Sequence, residues 1–223
     1  MRHRKVKNLD QRIENTRNYI VENPKEYKGK WREFFANQMM VGEATNCDSK
    51  PLYIEIGCGK GKFLCARACA KPDAIFLGIE GLDAVLIRGL ERATEDQIDN
   101  IRFVMEYVAD IREYFEDEEV DGIYLNFSDP WPKPRHEKRR FTYGETLLKY
   151  KQILKPGGFV EFKTDNDELF EYSLGEINRL ELNMEEMTRD LHRSELNSKE
   201  FTTEYEEKFH SKGKNINYLK IRF

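Results

Sequence analysis

Beyond residue 51 the chain alternates short apolar runs with longer amphipathic stretches. Leu52–Ile56 is an apolar run that ends in glycines and predicts a buried strand. Lys60–Lys71 carries a helical pattern that Pro72 ends. Ala74–Ile79 predicts a second strand, Asp83–Thr94 a helix with Asp83 as its N-cap, and Ile101–Tyr107 a third strand. Gly122–Phe127 predicts a fourth strand, and Tyr143–Leu154 a helix closed by Pro156-Gly157-Gly158. Phe159–Lys163 predicts a fifth strand, and Asp167–Leu180 a helix capped by Asn166 or Asp167. The tail from Leu182 is expected to supply the last two strands, near Glu185–Leu191 and Ile216–Phe223. Such alternation predicts βαβ units, hence an α/β fold with a doubly wound, mostly parallel, seven-stranded sheet over residues 51–223. Residues 1–50 are more polar and carry Pro24, Gly29 and Gly42. They are expected to form a mobile, helical N-terminal arm, with helices at Asp10–Val21 and Lys30–Asn37.

Composition narrows the class. Charged residues make up 35% of the 223, but 14 Phe, 11 Tyr and 2 Trp can build a core, which argues against general disorder. No run approaches the roughly 18 apolar residues of a transmembrane helix, and no apolar stretch follows the basic Met1–Lys7 as in a secretory signal. A cytoplasmic location is therefore expected. Cys47, Cys58, Cys65 and Cys69 should then be reduced, and their spacing, without paired histidines, argues against a metal site. The net charge of −4 hides a local imbalance. Residues 110–121 hold seven acids against Arg112, whereas 133–140 hold five bases against Glu137. Local clusters decide whether a polyanion can dock.

Candidate chemistry begins at Glu55-Ile-Gly57-Cys-Gly59-Lys-Gly61, between the first strand and first helix. A dinucleotide fingerprint would place its third glycine where Lys62 stands, and the Walker pattern is also missing. The G-x-G-x-G turn with an acid two residues ahead resembles motif I of class I S-adenosylmethionine-dependent methyltransferases. Glu55 suits that cofactor's positive end; the bland alternative is an ordinary strand–helix turn. Glu80, closing the second strand, can accept ribose hydroxyls, as acids do in several nucleoside-binding folds. After the fourth strand comes Ser128-Asp129-Pro-Trp131-Pro-Lys133-Pro-Arg135-His136-Glu137-Lys138-Arg139-Arg140. Its prolines stiffen a loop over the carboxyl ends of the strands, and its bases can contact phosphates.

That loop and the glycine turn resemble the bacterial tRNA (guanine-N7-)-methyltransferases of the TrmB type. Gly29-Lys-Trp31, Lys163-Thr-Asp165-Asn166, Asp190-Leu-His192 and Thr203-Glu204-Tyr205-Glu206-Glu-Lys-Phe209 agree, so the resemblance runs nearly end to end. It implies methyl transfer from S-adenosylmethionine to N7 of a guanine in the tRNA variable loop, position 46. It further implies that Glu55, Gly57, Gly59, Glu80 and Asp129 line the cofactor site, with Asp129 also catalytic. Lys133, Asp165, Thr203, Glu204, Tyr205 and Glu206 correspond to substrate-binding positions, and residues 135–140 to an RNA-contacting segment. Relatives usually carry Asp or Asn after the third strand, near the adenine, where this chain has Tyr107; Glu106 and Asp110 lie close by. The resemblance implies tRNA as partner and either a monomer or a homodimer; the lack of a long apolar run leads to the expectation of no membrane.

Guanine N7 has a free lone pair, so the reaction needs no strong base, and positioning and electrostatics should carry it. Asp129 and Asp165 compete for the guanine edge. Trp131, Tyr205 or Phe209 could stack on a base or be core. His136 and His192 are expected in structural or RNA-contact roles. An NAD-dependent oxidoreductase lacks its glycine pattern here; a non-catalytic RNA-binding protein would not need Glu55, Glu80 and Asp129. A methyltransferase for proteins or small molecules leaves the basic loop unexplained.

Overall fold

The computed structural model describes residues 6–38 and 49–223. Of the basic Met1–Lys7, residues 1–5 lie outside the described residues, as do Gly42 and Cys47. Seven strands form one sheet: β1 (Leu52–Ile56), β2 (Ile75–Ile79), β3 (Ile101–Val104), β4 (Val120–Asn126), β5 (Leu154–Thr164), β6 (Asn183–Thr188) and β7 (Asn217–Arg222). Their order is β3-β2-β1-β4-β5-β7-β6, and β7 alone runs opposite to the other six. The chain winds outward from β1 through β2 to β3, then returns to place β4 on β1's other edge. The carboxyl ends of β1 and β4 thus flank the topological switch point, where open α/β sheets bind ligands.

Helices cover both faces: α1 (Leu9–Asn15), α2 (Trp31–Gln38), α3 (Lys62–Ala70), α4 (Asp83–Glu95), α5 (Gly144–Ile153), α6 (Asp167–Arg179) and α7 (Glu204–His210). Leu52, Ile54 and Ile56 of β1 pack in one layer with Trp31, Leu147 and Phe170, while Tyr53 joins Phe63, Leu64 and Leu90 in the other. Burial on both faces explains why the strands appear as continuous apolar runs.

The described part of the expected arm is packed. Trp31 is fully buried, and its Nε1 donates to the Tyr114 carbonyl at 2.8 Å. A buried Trp removes roughly 150–250 Å² from water, about 4–6 kcal/mol before entropy. The first helix stops at Asn15 rather than reaching Val21. Ile20 bridges to Phe103, and the Val21 amide donates to the Phe103 carbonyl at 2.8 Å, so the sheet edge outcompetes a further helical turn.

Other boundaries shift for local reasons. β3 ends at Val104, opposite the last residue of β2, which leaves Tyr107 in a loop. Leu82, not Asp83, is the N-cap of α4. Asn166 does cap α6, its side chain accepting from the Leu169 amide at 2.7 Å. β5 begins at Leu154, with Gly157 at φ +78° in its irregular lead-in. β6 covers Asn183–Thr188, and Leu191 lies in a 3-10 turn beyond it. The tail also holds α7, which the periodicity did not predict.

Candidate active site

The glycine turn is anchored to β2. The amides of Gly57 and Cys58 both donate to the Ile79 carbonyl, at 2.8 and 3.0 Å. Gly57, Gly59 and Gly61 have φ of +74°, +58° and +69°, in the left-handed region. A Cβ on Gly61 would sit 2.9 Å from the Cα of Gly89, so glycine lets α3 approach α4. A Cβ on Gly57 would meet the Phe141 ring at 3.2 Å.

Glu55 lies on β1 beneath this turn and is almost fully buried. Its Oε1 accepts from Asn126 Nδ2 at 2.7 Å, while Oε2 has no hydrogen-bond partner among the described residues. Burial pushes its carboxyl up to about 8; the Asn126 bond and the charge of Lys163 oppose the rise. An orphaned buried carboxylate oxygen beside a positive-φ glycine cradle fits a ligand carrying an ammonium or sulfonium. Glu80 closes β2, its two oxygens accepting from the amides of Leu82 (3.0 Å) and Gly59 (3.2 Å). That places an acceptor at the rim, where ribose hydroxyls would arrive.

Across the switch point the Pro-rich loop leaves β4. Phe127 and Trp131 both take positive φ, +53° and +43°. Asp129 is exposed on this loop. Arg140 pins the loop from below, its Nε and Nη2 donating to the carbonyls of Pro130 and Trp131 at 3.1 and 3.0 Å, with its guanidinium 4.0 Å from the Tyr172 ring centre. Arg139 stacks 4.8 Å from the Trp131 ring centre, and His136 meets that ring edge-on. Lys133, Arg135, Glu137 and Lys138 stand exposed.

A buried polar network ties α7 to β5. Lys163 Nζ donates to the carbonyls of Ser198 (2.6 Å) and Phe201 (2.8 Å) and pairs with Glu206 at 3.2 Å; both side chains are at most 1% exposed. Burial pushes Glu206 up and Lys163 down, each offset by its partner's charge. Thr203 caps the helix, its Oγ1 accepting from the Glu206 amide at 2.9 Å. Glu204 pairs with Arg92 at 3.2 Å. Tyr205 points outward and stacks on Phe127 and Phe209, with ring centres 6.5 and 6.4 Å away. Asp165, after β5, pairs with Lys214 at 3.2 Å. His192 sits 3.2 Å from Glu206 and 4.0 Å, ring to ring, from His210; burial lowers its pKa.

A cleft of about 260 Å³ opens near the end of β1, lined by Ile56, Val108, Ala109, Arg140, Phe141 and Tyr150. A larger concavity, about 450 Å³, lies against α4, but its polar groups engage one another, as in Arg92–Glu204 and Arg88–Glu91. The smaller cleft is the one at the strand ends, where chemistry belongs.

A family model described as a putative methyltransferase matches residues 49–219. A tRNA (guanine-N(7)-)-methyltransferase of Streptococcus mutans serotype c is 40% identical over 223 residues, covering all of both chains. The chain belongs to the tRNA (guanine-N(7)-)-methyltransferase family. The same-named protein of Pediococcus pentosaceus is 44% identical over 92% of this chain and 91% of its own length. Among solved structures, an antibiotic-related methyltransferase has a TM-score of 0.61 at 15% identity, covering 91% of this chain and 95% of that one. A SAM dependent methyltransferase from Aquifex aeolicus has 0.53 at 11%, covering 96% and 98%. These two likenesses establish the fold, a class I methyltransferase sheet.

In this methyltransferase the fold gathers Glu55, Gly57, Gly59, Glu80 and Asp129 at the strand ends. It sorts the Thr203–Glu206 block into two inward groups, Thr203 and Glu206, and two outward ones, Glu204 and Tyr205. Of the basic segment, Arg140 is engaged in holding the loop, whereas Lys133, Arg135 and Lys138 are exposed, Arg135 donating only to the adjacent His136 at 3.2 Å. Sequence reasoning missed Asn126, which holds Glu55, and Lys163, which holds Glu206. The signal was there: each is a polar residue in the last two positions of a buried strand. No helix among the described residues is long and apolar enough to cross a membrane.

Proposed function

We propose that this methyltransferase transfers the methyl of S-adenosylmethionine to N7 of a guanine in the tRNA variable loop, position 46, giving 7-methylguanosine. The observation that carries the reading is the orphaned, buried Glu55 Oε2 under the glycine cradle, one strand away from the exposed Asp129 loop. When bound, S-adenosylmethionine supplies an electrophilic methyl group. Glu55 would meet its ammonium, the turn of Gly57 and Gly59 would let it approach the backbone, Glu80 would accept from the ribose, and Tyr107 would border the base.

N7 needs no deprotonation, so the chain's task is to position the guanine and stabilise its growing positive charge. N1–H becomes more acidic as N7 is methylated, and Asp129 accepts from N1–H and the 2-amino group. Asp165 is already paired with Lys214, which favours Asp129 for this role. Tyr205, backed by Phe127 and Phe209, offers the extruded base a stacking face, in keeping with enzymes that work on flipped bases. Lys133, Arg135 and Lys138 neutralise backbone phosphates, with Arg139 and His136 at the rim around Trp131.

The test is transfer of labelled methyl to unmodified tRNA, followed by cleavage at methylated guanine. Label at N7 of guanine 46 is expected; label confined to another base or another RNA overturns the assignment. Asp129→Asn should fold and bind cofactor yet turn over at least about 100-fold more slowly, the size seen when a donor or acceptor to developing charge is removed. Near-normal turnover in that variant removes Asp129 from the chemistry.

A further inference from the structure

Tyr107 is the most exposed large apolar side chain among the described residues, at 73%. It is nevertheless seated. A Cβ on Gly81 would lie 2.5–2.6 Å from Cγ, Cδ1 and Cδ2 of its ring, so one ring face rests directly on the glycine after Glu80. Glu80 itself is fixed by the amides of Leu82 and Gly59. The ring therefore stands on the same turn as the ribose acceptor, with its other face open. Val108 and Ala109, which follow it, line the cleft at the strand ends.

The acids near Tyr107 have partners of their own. Glu106 accepts from the Tyr114 hydroxyl at 2.7 Å. Asp110 is bound by Arg112 and by Lys149, at 2.7 and 3.0 Å, and these partners hold its carboxyl well below the usual range. Asp110 is thereby taken up, and Glu106 is drawn toward Tyr114. What this end of β3 offers a base is a flat, supported aromatic face.

We propose that Tyr107 is the stacking platform for the adenine of S-adenosylmethionine, reading the base by its face where a carboxylate would read its edge. The proposal rests on the cofactor site described above and assigns its base-binding element. Aromatic stacking contributes about tenfold or more in affinity per base. The hydroxyl is not required, and the contact lies far from the methyl, so its loss acts on binding rather than on the chemical step.

The experiment is calorimetric titration of S-adenosylhomocysteine and of 5′-methylthioadenosine into wild type, Tyr107→Ala and Tyr107→Phe. Methylthioadenosine lacks the amino acid, so it isolates the nucleoside end. Tyr107→Ala should weaken both ligands about tenfold and raise KM for S-adenosylmethionine in tRNA methylation, with the loss absent from kcat. Tyr107→Phe should keep both affinities within about twofold. Because the side chain is exposed, melting temperatures without ligand should match. Unchanged affinity in Tyr107→Ala overturns the platform, and so does a Phe variant as weak as the Ala variant. A wild-type chain that binds neither ligand overturns the cofactor site itself, a result distinct from either.

Discussion

Glu55 makes the free enzyme less stable than it need be, and the size of that effect follows from its burial. Its carboxyl, usually near 4.5, stands at about 8 in the fold because ionising it leaves a charge with only Asn126 as a hydrogen-bond partner. Between these values the folded protein binds a proton that the unfolded chain has lost, so stability falls as pH rises through that window. Each unit costs about 1.4 kcal/mol. Glu55→Gln removes the ionisation while keeping an acceptor for Asn126. At low pH the two proteins are comparable, since a protonated Glu and a Gln each leave an unpartnered donor at the same place. From pH 5 to pH 7 the variant should gain about 2.5 kcal/mol on wild type. For a chain of this size that is roughly 5–10 °C in melting temperature. Thermal melts of both proteins without ligand, at pH 5, 6, 7 and 8.5, measure it; other titrating groups are common to both and cancel. S-adenosylhomocysteine should then stabilise wild type and leave the variant's melting point nearly unmoved. Parallel melting curves at every pH would refute the argument, because they would mean that Glu55 ionises as if solvated.

Three further outcomes follow from the same geometry. Lys163→Met strands the Glu206 charge in the core and should cost about 3–5 kcal/mol in urea unfolding, whereas Lys163→Met with Glu206→Met should recover most of it. Gly61→Ala combines a left-handed φ with a 2.9 Å clash against Gly89; the melting temperature should fall by several degrees and cofactor affinity should drop with it. Arg135→Ala with Lys138→Ala should weaken tRNA binding, measured by filter retention across salt, and lower the log–log salt slope by about 2 while sparing cofactor affinity.

The sheet was legible because a strand buried on both faces has to be a short apolar run, and Leu52–Ile56 and Ala74–Ile79 are such runs. The glycine turn was legible because three left-handed residues in five leave little choice but glycine. What escaped was fixed by tertiary partners. α1 stops where Ile20 finds Phe103, a residue far along the chain. α7 has only seven residues, too few for an apolar period to show. Its Thr203-x-x-Glu206 spacing is that of a capping box, yet only half of the box forms: Glu206 turns away to Lys163, which nothing local announces. The candidate site follows the same division. Residue types at the strand ends pointed to Glu55 and Glu80 and the family resemblance to Asp129, but only packing distinguishes the outward Tyr205 from the inward Glu206, two members of one motif.

The charge distribution shows how a chain of net charge −4 can offer a face to a polyanion. The acids of 110–121 are largely engaged: Asp110 is neutralised by Arg112 and Lys149 beside the strand-end cleft, and Glu119 and Asp121 lie near the amino ends of β1 and β4. Glu119 accepts from the amides of Gly29, Trp31 and Glu116; Asp121 pairs with Arg32 and Lys155; Glu113 and Glu116 face Lys25 and Lys28. The N-terminal segment is therefore the counter-charge of this stretch as well as its cover. β4, seven residues long, separates the two regions by roughly 20 Å, about twice the screening length at physiological salt. At that distance Glu119 and Asp121 exert little repulsion on a phosphate at Arg135 or Lys138, and Asp110, which lies nearer, is neutralised by Arg112 and Lys149. Removing the salt bridges of Lys25 and Lys28 should accordingly lower stability while leaving the salt dependence of tRNA binding unchanged. A shift in that dependence would show that the two ends of the sheet are electrostatically coupled.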